Sequence, residues 1–326
     1  MTGERLIWVD RMRGLAILSV VIQHLTYYYQ NDFMYHKLIG IANMSIFFFI
    51  SGFIWAKTAR IETWNDGLHY VIKKTIQLML PFIVWTFIVA PYFFQTNWET
   101  WTFAKIVDEF VNPHLWFLLT LYGYTFYFVI FKIFNKQGGV KTGILFWMTV
   151  LFILTAIWYK WHMFKLATLY LPYFALGTLV SQKNLTEKLA SNRILSTLSL
   201  LSVFLLLGYW ESGHTSLLNI GIKLIVSLSM ILVTYAVCNK LNWNKYFDKF
   251  ILMCGKYSLA IYIMHWSFLH IIDEKPLIVQ NELIAFIPML IIAILICYTC
   301  VLFKNIIALF PVADFLLFGN YKKQKS

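Results

Sequence analysis

Apolar stretches long enough to cross a bilayer recur from one end of this chain to the other, and they leave it few possible folds. A hydrocarbon core about 30 Å thick takes a helix of about 20 residues, and it offers the backbone no hydrogen bonds except those the helix makes itself. About ten such stretches fall at approximately 8-29, 38-56, 75-94, 115-134, 143-159, 166-181, 194-210, 217-237, 250-270 and 282-303. With 60% of 326 residues hydrophobic and 13% charged, there is too little polar sequence to cover so many apolar faces in water. The reading is an all-α polytopic protein of about ten transmembrane helices. It forms a single membrane domain over 1-326 and lies multi-pass in the cell membrane. Trp8 and the run Tyr27, Tyr28 and Tyr29 bracket the first helix at the two headgroup levels.

Orientation follows from the cations. With both termini cytoplasmic, the inner segments collect Arg5, Arg11, Arg13, Lys57, Arg60, Lys73, Lys74 and most of the later lysines. The opposite loops hold only Lys37, Lys105, Lys160, Lys165 and Lys275. The same bias accounts for the net charge of +12, which in a soluble chain would suggest nucleic acid and here reflects anchoring to the inner leaflet of the lipid bilayer.

Arg13 interrupts the first apolar run and no small-residue cleavage site follows, so that helix is expected to stay in the protein. Cys238, Cys254, Cys297 and Cys300 fall in expected helices or at their cytoplasmic ends, which argues against a disulfide framework. The Cys297 and Cys300 pair reads as small-residue packing rather than redox or metal chemistry, and no metal site is expected. No phosphate-binding glycine loop is present.

Within the first helix, WVDRMRGLAILSVVIQH places Arg13 and His24 eleven residues apart. At about 100° and 1.5 Å per residue they leave the helix within about 20° of each other, separated by about 16 Å. A charge inside a span costs roughly 2.5–3.5 kcal/mol on insertion scales and marks a functional site by default. The pair suggests a cation that holds an anionic donor and, higher in the membrane, a titratable base.

Four other segments carry polar residues where lipid-facing helices avoid them. In SIFFFISGFIWAK, Ser51 and Gly52 read either as a close helix contact or as a ligand contact. The loop with Arg60, Lys73 and Lys74 before Pro81 reads either as inner-surface anchoring or as a phosphate-binding patch. In NPHLWFL, His114 and Trp116 stand at the outer end of a helix, where a histidine is structural or catalytic. In CGKYSLAIYIMHW, Gly255, Ser258, Tyr262 and His265 recur at steps of three, four and three. That polar stripe faces the bundle interior. Counted from the cytoplasmic side, His265 reaches about the depth of His24. It either lines the same site or makes a structural hydrogen bond.

Taken together, these segments resemble the acyltransferase-3 family of bacterial integral-membrane acyltransferases, which includes polysaccharide O-acetyltransferases. VDRMRGLAILSVVIQH is similar to the family's Arg-X10-His signature, FFFISGF to its second-helix motif, HLWFL to its fourth-helix motif, and GKYSLAIYIMH to its late Gly-Ser-Tyr-His segment. The resemblance implies about ten helices, Arg13 and His24 as the functional pair, and acetyl-CoA or another acyl-CoA as a donor substrate taken from the cytoplasm, with no resident cofactor. It implies transfer to a hydroxyl of a glycan or lipid-linked sugar. Relatives often carry arginine where this chain has Lys73 and Lys74. No hydrolase-like domain follows the membrane helices in this sequence, so transfer is expected to finish within the membrane.

The residues fit that chemistry on physical grounds. A neutral alcohol is a weak nucleophile, and a neutral imidazole is well matched to take its proton. His24 is the base. Arg13 grips a CoA phosphate so that the pantetheine arm runs toward His24, and Asp10 orients or neutralises the empty guanidinium. Ser258, Tyr262 and His265 are candidate oxyanion donors, with Tyr262 and His265 ranked first. The alternative is a glycan exporter. Exporters usually show inverted repeats and broken helices in pairs, whereas the prolines here sit mostly near the ends of the expected spans.

The orientation is tested by cysteine scanning in intact cells. A cysteine placed between residues 95 and 112 reacts with an impermeant thiol reagent, and one between 136 and 141 does not. Reversed labelling inverts the topology.

Overall fold

A computed structural model describes residues 6–26, 34–93, 102–111, 113–135, 162–210, 216–269 and 282–320. In chain order the helices used below are α1 Ile7–Leu25, α2 Met34–Thr58, α3 Trp64–Lys74, α4 Leu80–Val84, α5 Ala90–Phe93 and α6 Phe103–Val111. They continue with α7 Trp116–Asn135, α8 His162–Gln182, α9 Thr186–Ser191, α10 Arg193–Leu206 and α11 Leu217–Lys240. The last are α12 Lys245–Lys256, α13 Ser258–Leu269, α14 Glu282–Ile307 and α15 Pro311–Phe318. The described residues hold no strand.

Among the described residues five helices are long and apolar enough to cross a membrane: Met34–Thr58, Trp64–Val89, Trp116–Phe134, Leu217–Lys240 and Phe286–Ile307. Ile194–Tyr209 and Ser258–Leu269 are apolar but shorter. Helix α1 has the length, 19 residues, and differs from the five in carrying Asp10, Arg11 and Arg13 in its first two turns. The expected span at 143-159 lies outside the described residues.

Two expectations need correction. The stretch at 250-270 is two helices, because Tyr257, with φ −102° and ψ 17°, leaves helical geometry between α12 and α13. The prolines are not confined to helix ends. Pro172 and Pro288 lie inside α8 and α14, and Pro81 and Pro91 follow wide π turns at Thr75–Met79 and Trp85–Val89. Each wide turn ends two residues before its proline. A proline has no N–H and its ring crowds the carbonyl four residues back, so a local shift to bonds spanning five residues keeps the helix going. Accordingly the Leu80 N–H donates to the Thr75 carbonyl, and the Ala90 N–H to that of Trp85.

The chain folds as two compact units, Met1–Phe53 with Leu176–Phe303, and Ile54–Ala175 with Lys304–Ser326. In the second unit, α7 packs on α3, with Gly67 against Val129 and Ile133. Lys132 caps the end of α2 by donating to the Ala59 carbonyl while lying over Trp55. Helix α15 docks on α4: the Trp85 indole N–H donates to the Leu317 carbonyl at 2.9 Å, and Lys304 and Asp314 form a buried ion pair completed by Asn320. Gly319 ends α15 at φ +64° and lies directly on the Ile76 carbonyl, where neither a side chain nor an ordinary backbone angle would fit.

In the first unit the dominant contact is α1 on α12, made by two glycines. A Cβ on Gly14 would fall on the Ile251 carbonyl, and one on Gly255 on the Asp10 carbonyl. Small residues let two backbones approach closely, which is the main source of helix association where lipid removes the hydrophobic drive. Gly177 plays the same part for α8 against the backbone of Phe49 and Phe53 on α2. Trp8 holds the lower end of α1 edge-on between Phe53 and Tyr235, each 4.9 Å away.

Alanine at Gly14 or Gly255 therefore forces backbones apart and costs about 1–3 kcal/mol. Alanine at Gly221, where a Cβ meets nothing within 4 Å, adds about 0.5–1 kcal/mol through helix propensity. Thermal unfolding in detergent shows opposite shifts. A neutral result at Gly14 and Gly255 would remove the close approach as the organising contact.

Candidate functional site

The site is built on α1, and its lower end separates two arginines that the sequence places two residues apart. Arg11 is fully engaged. Its Nε and Nη2 donate to the two carboxylate oxygens of Asp248 at 2.7 and 3.0 Å, its Nη1 donates to the Cys238 carbonyl at 2.9 Å, and the guanidinium lies 5.2 Å over Trp243. Asp248 sits in the first turn of α12, where the helix dipole favours a carboxylate and the Asn244 side chain caps the Tyr246 N–H.

Arg13 differs. About 200° further round the helix, it is half-buried, and among the described residues its guanidinium makes no hydrogen bond. Asp10, only 7% exposed one turn below, is the acid whose charge it feels. A cation in this position without a bonded acid suits an anionic ligand.

Three turns higher, His24 is bracketed by two rings of α13. His265 lies 5.2 Å away at 33° and Trp266 lies 5.0 Å away edge-on. Helix α13 carries them there because the stripe Gly255, Ser258, Tyr262 and His265 runs along α1. Gly255 touches α1 at Asp10 and His265 touches it at His24. Tyr262, buried one turn before His265, has its ring 6.1 Å from that imidazole, and Ser258 is half-buried at the start of α13.

His265 itself is 3% exposed, with Nδ1 3.0 Å from the Ile261 carbonyl and Nε2 buried without a hydrogen-bond partner among the described residues. A carbonyl only accepts, so the ring proton is on Nδ1 and Nε2 presents a lone pair.

Three residues of this neighbourhood carry no role in the sequence reading. Trp266 is the second ring against His24. Gln23, beside His24, accepts a hydrogen bond at 2.6 Å from the fully buried Asn43 of α2. The signal for Gln23 and Asn43 was there: both are amides inside apolar stretches, where an unpaired amide is costly. Ser51 is half-buried in α2 and Gly52 is buried beside it.

The remaining candidates belong to the second unit. Lys73 and Arg60 are exposed, and Lys74 donates to Gln77 at 3.0 Å and lies 5.7 Å over Tyr70. His114 is exposed, and Trp116 stacks on Tyr170 at 5.4 Å. All four cysteines are buried free thiols.

Comparison with known proteins identifies the same family. A family model described as an acyltransferase domain, that of the acyltransferase-3 family, matches residues 6–302. No curated protein and no solved structure matches the chain. Helices of spanning length, with this match over nearly the whole sequence, establish that the chain belongs to the acyltransferase-3 family of membrane acyltransferases.

Proposed function

We propose that the protein moves an acetyl group from cytoplasmic acyl-CoA to a hydroxyl of a cell-envelope glycan or lipid-linked sugar. It lies in the cell membrane with about ten spans and both termini inside. The observation that carries the reading is one helix, α1, bearing an arginine to which no described residue bonds and, three turns above it, a histidine set against a second imidazole.

In this reading Arg13 binds a phosphate of CoA; Lys73, Lys74 and Arg60 are inner-surface cations of the second unit. Ser51 is a further donor-side contact. The separation of about 16 Å along α1 suits the extended pantetheine arm, which brings the thioester up to His24. The acceptor hydroxyl attacks the thioester carbonyl carbon as His24 takes its proton, so the C–O bond forms without a free alkoxide. Tyr262 donates its O–H to the oxyanion. The C–S bond then breaks, and the imidazolium of His24 returns the proton to the CoA thiolate, leaving ester and free thiol.

Two variants test the two ends of α1. Arg13→Ala weakens CoA binding by roughly 10- to 150-fold, corresponding to about 1.5–3 kcal/mol for a charge-assisted contact, as measured by calorimetry on purified protein. His24→Ala abolishes release of CoA from acetyl-CoA in native membranes and leaves CoA affinity near wild type. Unchanged CoA affinity in Arg13→Ala sinks the donor site. An absence of acetyl-CoA turnover by the wild type would favour the exporter.

A further inference from the structure

The proton on His265 has a determined place, and it conflicts with one role the sequence allows that residue. An oxyanion donor must offer a hydrogen, yet the hydrogen of neutral His265 is committed to the Ile261 carbonyl at 3.0 Å. The other nitrogen, Nε2, is bare, buried and without a hydrogen-bond partner among the described residues. A buried acceptor left in this state is costly unless something brings it a donor.

The surroundings of the ring narrow the choice of donor. Tyr262, on the same helix, has its ring 6.1 Å away, and Trp266 follows in sequence with its ring edge-on at 6.4 Å. His24 is the partner brought from another helix, and at 5.2 Å and 33° it is the nearest of the three rings. An imidazole that has taken a proton carries N–H on both nitrogens. So when His24 uses one nitrogen for the acceptor hydroxyl, the other needs an acceptor, and the neighbouring ring of His265 carries one in its bare Nε2.

We propose that His265 is a positioning residue for His24, its Nε2 accepting a hydrogen bond from His24 as that ring becomes imidazolium. This rests on His24 being the base. The chain then runs from the substrate O–H to His24, from His24 N–H to His265 Nε2, and from His265 Nδ1–H to the Ile261 carbonyl. No proton passes beyond His24. The one it takes from the hydroxyl goes to the thiolate when the C–S bond breaks, so the balance of the transfer is unchanged.

The arrangement follows the logic by which a carboxylate orients a catalytic histidine, but with a neutral acceptor. Inside a span the difference matters: a second buried charge would need its own partner, whereas an imidazole tied to a backbone carbonyl needs none. The same assignment leaves Tyr262 and Ser258 as the candidate oxyanion donors on α13, with Tyr262 the nearer in sequence to His265. It also gives the contact of Gly255 with the Asp10 carbonyl a purpose, since that contact sets the height of α13 against α1.

The test uses two replacements. His265→Asn keeps an N–H for the Ile261 carbonyl and removes the acceptor at Nε2. His265→Gln returns an amide oxygen near that position. With acetyl-CoA as donor and native membranes supplying the acceptor, His265→Asn lowers kcat by roughly 10- to 100-fold, part of the 10²–10⁴ a general base supplies. KM for acetyl-CoA stays within about twofold, and His265→Gln recovers part of the loss. A residue that merely packs gives no rescue by Gln and no split between kcat and KM, and that result overturns the inference.

A second measurement does not depend on the variants folding. In wild-type protein with ¹⁵N-labelled histidine, His265 shows a protonated Nδ1 and a bare Nε2. A proton on Nε2 overturns the proposal. Activity surviving in His24→Ala refutes the base on which the proposal rests. Loss of activity in His24→Ala with full kcat in His265→Asn refutes this inference alone.

Discussion

Hydrocarbon offers nothing to a polar group, so the placement of every charge and amide on α1 depends on what the neighbouring helices bring to it. Arg11 shows the constraint met. A carboxylate, a carbonyl and an indole face surround its guanidinium, and all three come from the α11–α12 corner. Arg13 shows it left open by the described residues, on the opposite side of the same helix. Among the described residues one arginine is bonded on several sides and its near neighbour is not, and that contrast is what motivates the proposed anion site.

The imidazole pair depends on the same helix, but its geometry is set from below. Two glycines bring α1 and α12 together backbone to backbone, and the break at Tyr257 then releases α13 to follow α1 upward. Without the break a single helix would have to satisfy both contacts. Packing and chemistry are thus coupled here: the fit at Gly14 and Gly255 fixes where His265 arrives.

The helical class and the five helices of spanning length were legible in the sequence because length and apolar composition are local properties of a segment, and the polar stripe because it is periodic. Arg13, His24, Tyr262 and His265 stood out as candidates because a polar residue in an apolar stretch is conspicuous. What the sequence did not yield depends on partners distant in the chain. Nothing within α1 distinguishes Arg11 from Arg13, since the distinction lies in Asp248. Trp266 was hidden among many aromatics. The break at Tyr257 follows no proline, and the π turns come from prolines that a length criterion assigns to helix ends. The direction in which His265 can exchange a hydrogen bond required the distance to Ile261, which spacing alone does not supply.

The wide turns before Pro81 and Pro91 have one more effect. A turn closed over five residues instead of four takes up one residue more, and each residue of an α-helix contributes about 100° of rotation. The side chains beyond Pro81 are therefore turned by about 100° relative to an uninterrupted helix, and those of Ala90 and Pro91 by about twice that. The compass of this helix is reset twice along its length. A stripe drawn at regular steps from Trp64 onward has left its starting face by Ala90, and two prolines decide where it points.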